Sequence, residues 1–224
     1  MAIPLAGGAT AQVAVSASLA TDYRYRGVSL SDGNPTLGVN LSYDQGAGAY
    51  VGGSVVGGES AQAGVRILGF TEYLGYAHRI GTDVTGDVGV SDTRFVQYYN
   101  STRFESNTEI YSGFRTRHFS YYLYYSPRYF EGGPSTVYAE INAAYPFAPK
   151  WRVFGHLGVL TPLDRAQPYS LYRREQYDLR AGVAAAFKGG EAQLAWTSAR
   201  GGSDPTASNA PDRDALVFAV TLFF

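Results

Sequence analysis

Apolar and polar residues alternate along most of this chain with a period of two. In residues 13–25, apolar or aromatic side chains such as Val13 and Val15 occupy every second position, and mostly polar side chains lie between them. The same alternation returns over residues 37–44 and is clear again over residues 216–224. Successive side chains of a β-strand point to opposite faces, so this pattern predicts two-faced strands.

Helical spacing is not sustained anywhere in the sequence, and turn residues separate the alternating segments. The pattern predicts about twelve strands, an even number as single-chain outer-membrane barrels require. These strands cover residues 12–28, 35–45, 49–59, 64–80, 83–97, 105–116, 118–130, 136–147, 151–163, 175–188, 190–200 and 213–224.

The joins between these strands alternate in length. Residues 46–48, 81–82, 149–150 and 189–190 form tight joins, whereas others are as long as residues 201–211. Antiparallel neighbours need only a tight turn, and outer-membrane barrels have short turns on one rim and longer loops on the other. We therefore predict an all-β fold: a transmembrane, antiparallel, up-and-down β-barrel of about twelve strands over residues 12–224.

Composition argues against several other classes of protein. The formal net charge is -1, which argues against nucleic-acid binding because phosphate neutralisation needs a concentrated basic surface. The chain has no cysteine, so disulfides, thiolate metal sites and a cysteine nucleophile are excluded. No apolar run approaches the ~20 residues of a membrane-spanning helix.

The N-terminal segment, residues 1–11, shares one feature with signal peptides. It lacks a basic region and a full apolar region, but Ala9-Thr10-Ala11 fits the small-x-small pattern of a signal-peptide cleavage site. We interpret residues 1–11 as the remnant of a signal peptide, and a disordered leader is the alternative.

Alternation alone does not say which face meets lipid, since a soluble barrel also alternates but turns its apolar face inward. Two features favour lipid outside: the strand count is large for a soluble barrel, and aromatic residues gather at strand ends, as membrane girdles require. The alternative for the aromatic residues is that tyrosine simply favours strands. The predicted girdle residues are Tyr23, Tyr25, Tyr43, Tyr145, Trp151 and Tyr177.

Charged residues of both signs are predicted to face the lumen. They could set the ion selectivity of a small aqueous pore, or they could pair with one another and close a narrow barrel. The predicted lumen residues are Asp22, Arg24, Arg26, Glu72, Arg94, Glu109, Arg115, Glu140, Arg152, His156, Asp178 and Arg180.

Catalytic and metal chemistry have little support in the sequence. His156 lies in mid-strand on the predicted inner face, where it could meet Glu140 or Asp178, but no Ser-x-His or paired-Asp motif accompanies it. The loop of residues 201–214 carries Asp204, Asn209, Asp212 and Asp214, yet this spacing matches no known calcium loop. We predict no enzyme, no metal and no cofactor, and an outer-membrane hydrolase is the alternative.

Several segments resemble the TorF-type family of porins from Gram-negative bacteria. The most specific is DYRYRGVSLSDGNP at residues 22–35; others are GFTEYLGYAHRIG, TEIYSG, YYSPRYF, YAEINAAYP and the HLG of residues 156–158. The final ALVFAVTLFF resembles the last strand of outer-membrane barrels. The resemblance implies an outer-membrane location, with Phe224 as part of the assembly signal that the barrel-insertion machinery reads.

The predicted function is a small passive-diffusion channel with a mixed-charge lumen. The alternative is a closed scaffold barrel that binds another outer-membrane component. Expected partners are outer-membrane lipid and lipopolysaccharide, the insertion machinery, and small polar solutes or ions, but no nucleic acid. A homo- or hetero-oligomer is left open, as is whether the glycine-rich third to fifth strands form a gate or a partner seam.

Overall fold

The computed structural model describes residues 11–60, 64–96, 104–130, 133–163, 175–201 and 214–224. The predicted leader therefore lies outside the described residues, except for Ala11. None of the described residues belongs to a helix long and apolar enough to cross a membrane.

The described chain forms fourteen strands, twelve of which close into one antiparallel barrel. Around the barrel each strand pairs with its neighbours in chain order, and β1 closes the ring between β14 and β4. The prediction of a twelve-stranded antiparallel barrel is confirmed. The strands are β1 (Gln12–Ala20), β2 (Arg24–Tyr25), β3 (Val28–Ser29), β4 (Thr36–Asp44), β5 (Ala49–Ser60), β6 (Gly64–Ile80), β7 (Val84–Val96), β8 (Phe104–Arg115), β9 (Phe119–Ser126), β10 (Thr136–Ala148), β11 (Trp151–Pro162), β12 (Gln176–Phe187), β13 (Gly190–Gly201) and β14 (Asp214–Phe223).

The two ends of the barrel differ in their connections. At one end, here called the turn rim, strands join through residues 45–48, 81–83, 116–118, 149–150 and 188–189. At the other end, the loop rim, they join through residues 21–35, 61–63, 97–103, 127–135, 163–175 and 202–213. Most connections at the loop rim are the longer ones, as the sequence predicted.

The outer face of the barrel is largely apolar. On β1 and β4, for example, Val13, Leu19, Leu37 and Leu41 are more than half exposed, while the residues between them are less accessible. The pairing of β5 with β6 contains one irregularity, between Val56 and Gly57. This bulge places Leu68, which is fully buried, on the inner face.

Two predicted strands are too long, and both errors lie at the loop rim. The first was predicted over residues 12–28, but β1 ends at Ala20. Residues 21–35 instead fold as a separate hairpin in which β2 pairs with β3 and with no barrel strand. Arg26 and Gly27, between β2 and β3, have positive φ angles of 48° and 77°, so the chain reverses there rather than continuing as a strand.

The second overlong prediction covered residues 118–130, where β9 ends at Ser126. Tyr129 and Phe130 lie beyond the strand and are buried, and Phe130 has a φ of 51°. In both places period-two alternation persisted in the sequence after the chain had left the barrel wall.

Candidate functional site

The loop rim is closed by residues 21–35, here called the inward hairpin. Its centre is the buried carboxylate of Asp22, which accepts hydrogen bonds from Arg24 Nε at 2.5 Å, Ser29 Oγ at 2.5 Å and Ser31 Oγ at 2.9 Å. The backbone N–H of Gly33 also donates to Asp22. These bonds tie both arms of the hairpin to one anion, so Asp22 and Arg24 build the hairpin rather than line a pore.

Arg26 joins the tip of the hairpin to the barrel wall. Its Nη2 lies 2.8 Å from both carboxylate oxygens of Glu109 on β8, and the two side chains are 6% and 4% exposed. The guanidinium also lies 3.9 Å from the ring centroid of Tyr138 on β10. A buried ion pair with this geometry fixes the hairpin across the lumen.

Tyr25 is a second donor to the same carboxylate. Burial raises the pKa of Tyr25 well above its ordinary value, so its hydroxyl stays protonated and donates to Glu109 at 3.4 Å. Gln176 of β12, four strands away around the barrel, donates to the backbone carbonyl of Arg26 at 2.9 Å. The hairpin is therefore bonded to two separate parts of the wall.

Gly27 packs directly against the wall. A Cβ at this position would lie 2.8 Å from Cβ of Asp178 and 2.9 Å from Cβ of Ala199. Only glycine fits there, because the residue also has a positive φ.

An aromatic cluster fills the remaining space at the loop rim. Its buried members are Phe95, Tyr129, Phe130, Tyr138 and Leu160. Tyr23, Tyr25, Leu30 and Tyr124 pack against them, and Tyr25 meets Phe95 edge to face with centroids 4.8 Å apart. The loop-rim half of the lumen is therefore packed like a protein core.

A polar network on the inner wall contains His156. Its Nε2 lies 2.6 Å from Asp178 Oδ1, and its Nδ1 lies 2.7 Å from Asn142 Oδ1. Tyr138 donates to Asp178 at 3.0 Å, and Asn142 donates to Glu140 at 3.2 Å. Among the described residues, the side chains bonded to His156 are a carboxylate, an amide and a phenol, and this set contains no serine, threonine or cysteine nucleophile.

The turn-rim half of the lumen is more accessible and carries charges of both signs. Arg152 on β11 forms a bidentate pair with Glu191 on β13 through bonds of 2.9 and 2.6 Å, and its side chain is 34% exposed. Arg180 on β12 donates to the neutral amide oxygen of Gln193 at 2.9 Å. Both guanidiniums lie over the ring of Phe154, at 5.4 and 5.0 Å from its centroid.

Four inward tyrosines, here called the tyrosine belt, line the wall from β5 to β9. Tyr50, Tyr73, Tyr111 and Tyr122 each lie directly opposite a glycine of the neighbouring strand: Gly75, Gly52, Gly89 and Gly113. A Cβ on Gly75, Gly52 or Gly89 would come within 2.4 Å of the facing phenol oxygen. The glycines of β5 to β7 that face inward therefore give room for flat tyrosine rings.

Asp87 on β7 accepts hydrogen bonds from two tyrosines of this belt. Tyr50 donates to Asp87 Oδ1 at 2.5 Å, Tyr122 donates to Oδ2 at 2.8 Å, and the Tyr50 and Tyr111 hydroxyls lie 2.6 Å apart. Arg115 donates to the Tyr122 hydroxyl at 3.4 Å. Three of the four belt tyrosines, Tyr50, Tyr111 and Tyr122, are thus joined in one hydrogen-bonded layer.

The structure places ten of the twelve predicted lumen residues inside the barrel or in the inward hairpin. The other two, Glu72 on β6 and Arg94 on β7, were predicted wrongly. Glu72 lies on the same outer face as the exposed Leu74, and Arg94 shares the outer face of Val90. Both faces of these strands carry aromatic or charged residues, so charge alone misassigned them.

Two of the six predicted girdle residues were also wrong. Tyr23 and Tyr25 pack inside the aromatic cluster, because the strand ends before them. The other four have outward rings that are 43–61% exposed and that lie near strand ends; they are Tyr43, Tyr145, Trp151 and Tyr177. Their contact with a headgroup layer stays a prediction.

Sequence reasoning missed Asp87, Glu191 and Gln193. Asp87 alternates with the outward Val88, and Glu191 and Gln193 alternate with the outward Leu194. Strict use of strand parity would have found all three.

A metal site has no support in the described part of the chain, where no group of three or more His, Cys, Asp or Glu side chains could hold an ion. Asp204, Asn209 and Asp212 of the predicted loop lie outside the described residues.

Comparisons with known proteins agree with this architecture. Residues 6–221 match the family model described as "Bacterial protein of unknown function (Gcw_chp)". A search of curated proteins finds no match. The TorF-type resemblance therefore stays a prediction.

Solved structures of two porins and of one outer membrane channel share the fold. One titled "KdgM porin" has a TM-score of 0.58 at 11% identity, covering 94% of this chain and 98% of its own. A NanC porin has a TM-score of 0.56 at 8% identity, covering 95% and 99%. The COG4313 outer membrane channel from Pseudomonas putida F1 has a TM-score of 0.51 at 11% identity, covering 98% and 96%. At these identities the likeness shows the fold alone.

Proposed function

The chain belongs to the Gcw_chp family of bacterial proteins of unknown function, and we propose that it is an outer-membrane channel for small polar solutes or ions whose opening is controlled by the inward hairpin. The supporting observation is that a charged, accessible half-lumen ends at a hairpin that is not part of the barrel wall. The inward hairpin can therefore leave the lumen without breaking any pairing between barrel strands.

Placement in the outer membrane rests on the apolar outer face. Exposed valines, leucines and aromatic residues cover most strands, and outer-membrane barrels present such a band to lipid. The four outward rings at strand ends fit the interfacial girdle. Lipid, lipopolysaccharide and the insertion machinery are the partners that this placement implies.

The proposed cargo follows from the half-lumen at the turn rim. Arg152 is neutralised by Glu191, Arg180 faces a neutral amide, and Asp87 is held by two phenols. Charges of both signs around this half of the lumen favour weak selectivity over a dedicated cation or anion pore.

A matched pair of glycine variants tests the proposal. Gly27 and Gly33 have similar positive φ angles, 77° and 73°, so alanine strains the backbone equally at both. Only at Gly27 does the added Cβ meet the barrel wall, since nothing lies within 4 Å of a Cβ at Gly33. Gly27→Ala should therefore push the hairpin out of the lumen, whereas Gly33→Ala should not.

The readout is single-channel current across a planar lipid bilayer with a salt gradient. We expect rare current steps from the wild-type protein and from Gly33→Ala, and frequent, larger steps from Gly27→Ala. Silence from all three correctly folded proteins would reject the channel.

That silence would support the second candidate, a closed scaffold barrel. One observation favours it: the inward side chains of Asn107, Ser126 and Thr136 are completely inaccessible to water. Water-filled pores expose such polar side chains, so a permanently packed loop rim would leave no path for solutes.

A further inference from the structure

The outer face of the barrel carries a polar group of residues where lipid contact is otherwise apolar. We call this group the charged outer patch; it consists of Glu72 on β6, Asp92 and Arg94 on β7, and Thr108 on β8. Arg94 pairs with Asp92 at 2.6 Å, Thr108 donates to Asp92 at 2.6 Å, and Glu72 pairs in register with Asp92.

On β6 the patch lies within the apolar face and not beyond its edge. Along β6, Glu72 is preceded by the outward Val65 and Ile67, which are 86% and 52% exposed, and followed by Leu74, which is 61% exposed. Among the described residues Glu72 has no cation within 4 Å, whereas Arg94 keeps a side chain that is 42% exposed. An exposed carboxylate flanked by apolar residues on a lipid-facing strand is costly unless a partner covers it.

We propose that the charged outer patch is an interface through which two copies of this chain form a dimer. The occupant follows from charge complementarity. Glu72 and Arg94 lie diagonally on adjacent strands, about 7–8 Å apart by strand geometry. A two-fold axis between them lets each Glu72 reach Arg94 of the other copy, which is the reciprocal pairing of a symmetric dimer.

Two further features fit such an interface. Gly53, directly opposite Glu72 on β5, is on the outer face and has no side chain, so two barrels can approach closely. Thr108 also lines a surface groove with Ser106, Pro127 and Arg128, which gives the partner a concave edge. The inference rests on the proposed membrane placement but not on conduction.

The experiment uses the absence of native cysteine. Leu74→Cys places a single thiol beside the patch, and Leu179→Cys places one on β12, on the opposite side of the barrel. Membranes containing either variant are oxidised, and disulfide-linked dimers are counted on gels that also report folding. We expect dimers from Leu74→Cys and almost none from Leu179→Cys.

Charge exchange then tests the pairing. In the Leu74→Cys background, Glu72→Arg should reduce cross-linking at least about tenfold, because like charges would meet across the axis. Adding Arg94→Glu should restore cross-linking to within about twofold, because the exchanged charges again complement each other. Equal cross-linking at Leu74→Cys and Leu179→Cys, or no recovery in the folded double exchange, would overturn the dimer and leave the proposed channel untouched.

Discussion

The two halves of the lumen are enclosed by the same twelve strands but differ in the residues that occupy them. At the loop rim, the inward hairpin and the aromatic cluster leave whole residues such as Glu109 and Tyr138 only 3% and 2% exposed. At the turn rim, Arg152 keeps a third of its side chain exposed. The difference shows that one half is closed by a segment outside the barrel wall, whereas the other is shaped by wall residues alone.

Each half contains an arginine–carboxylate pair, and these two pairs make the contrast measurable. Arg26–Glu109 joins the hairpin to the wall and is excluded from water, while Arg152–Glu191 joins two wall strands and is partly hydrated. Because the first pair is more buried, loss of one partner should lower the free energy of unfolding strongly in the first case and only slightly in the second.

The largest expected effect is at the buried pair. Glu109→Ala leaves Arg26 as an uncompensated buried charge and should lower the free energy of unfolding by about 3–5 kcal/mol. The measurement is urea-induced unfolding in lipid vesicles. The double variant Arg26→Met with Glu109→Leu should recover most of the loss, because neither charge of the pair remains unpartnered. A loss below about 1 kcal/mol for Glu109→Ala would show that the pair is hydrated.

An intermediate effect is expected at the tyrosine belt. Gly75→Ala forces the Tyr50 ring away from its position and should cost about 1–3 kcal/mol, as overpacking does elsewhere. Gly155→Ala is the matched control, because the nearest atom to a Cβ there is 3.8 Å away. Equal unfolding free energies for the two variants would contradict the close packing of tyrosine on glycine.

The smallest effect on stability is expected at the accessible pair. Glu191→Gln should cost only about 1 kcal/mol, since the side chains of Arg152 and Glu191 are 34% and 15% exposed and water screens their charges more than it screens Arg26 and Glu109. It nevertheless removes a negative charge beside Arg152 and Arg180. In the Gly27→Ala background, the reversal potential should therefore move toward anion selectivity. A shift toward cations would mean that these residues do not line the conducting path.

Much of the barrel could be predicted from the sequence. Strand alternation on β10 and β14 reports local geometry directly, and the tight joins at residues 149–150 and 189–190 mark antiparallel neighbours. These signals depend only on residues close together in the chain, so the number of strands and most boundaries were correct.

The inward hairpin could not be predicted in the same way. Residues 22–26 alternate like a strand, but their position inside the barrel depends on contacts with Glu109, Gln176 and Asp178, which are distant in sequence. The charged outer patch was misassigned for a different reason, because charge was taken as a sign of the inner face. Strand parity alone places Glu72 with the exposed Leu74 and Arg94 with the exposed Val90.

The reactivity of single thiols on one strand tests the contrast between the two halves most directly. Thr136 and Ala144 both face inward on β10; Thr136 is fully buried at the loop rim, and Ala144 is partly accessible nearer the turn rim. A water-soluble methanethiosulfonate reagent should modify Ala144→Cys at least about tenfold faster than Thr136→Cys, because the packed half must open first. Equal rates in the folded proteins would contradict a lumen closed at the loop rim.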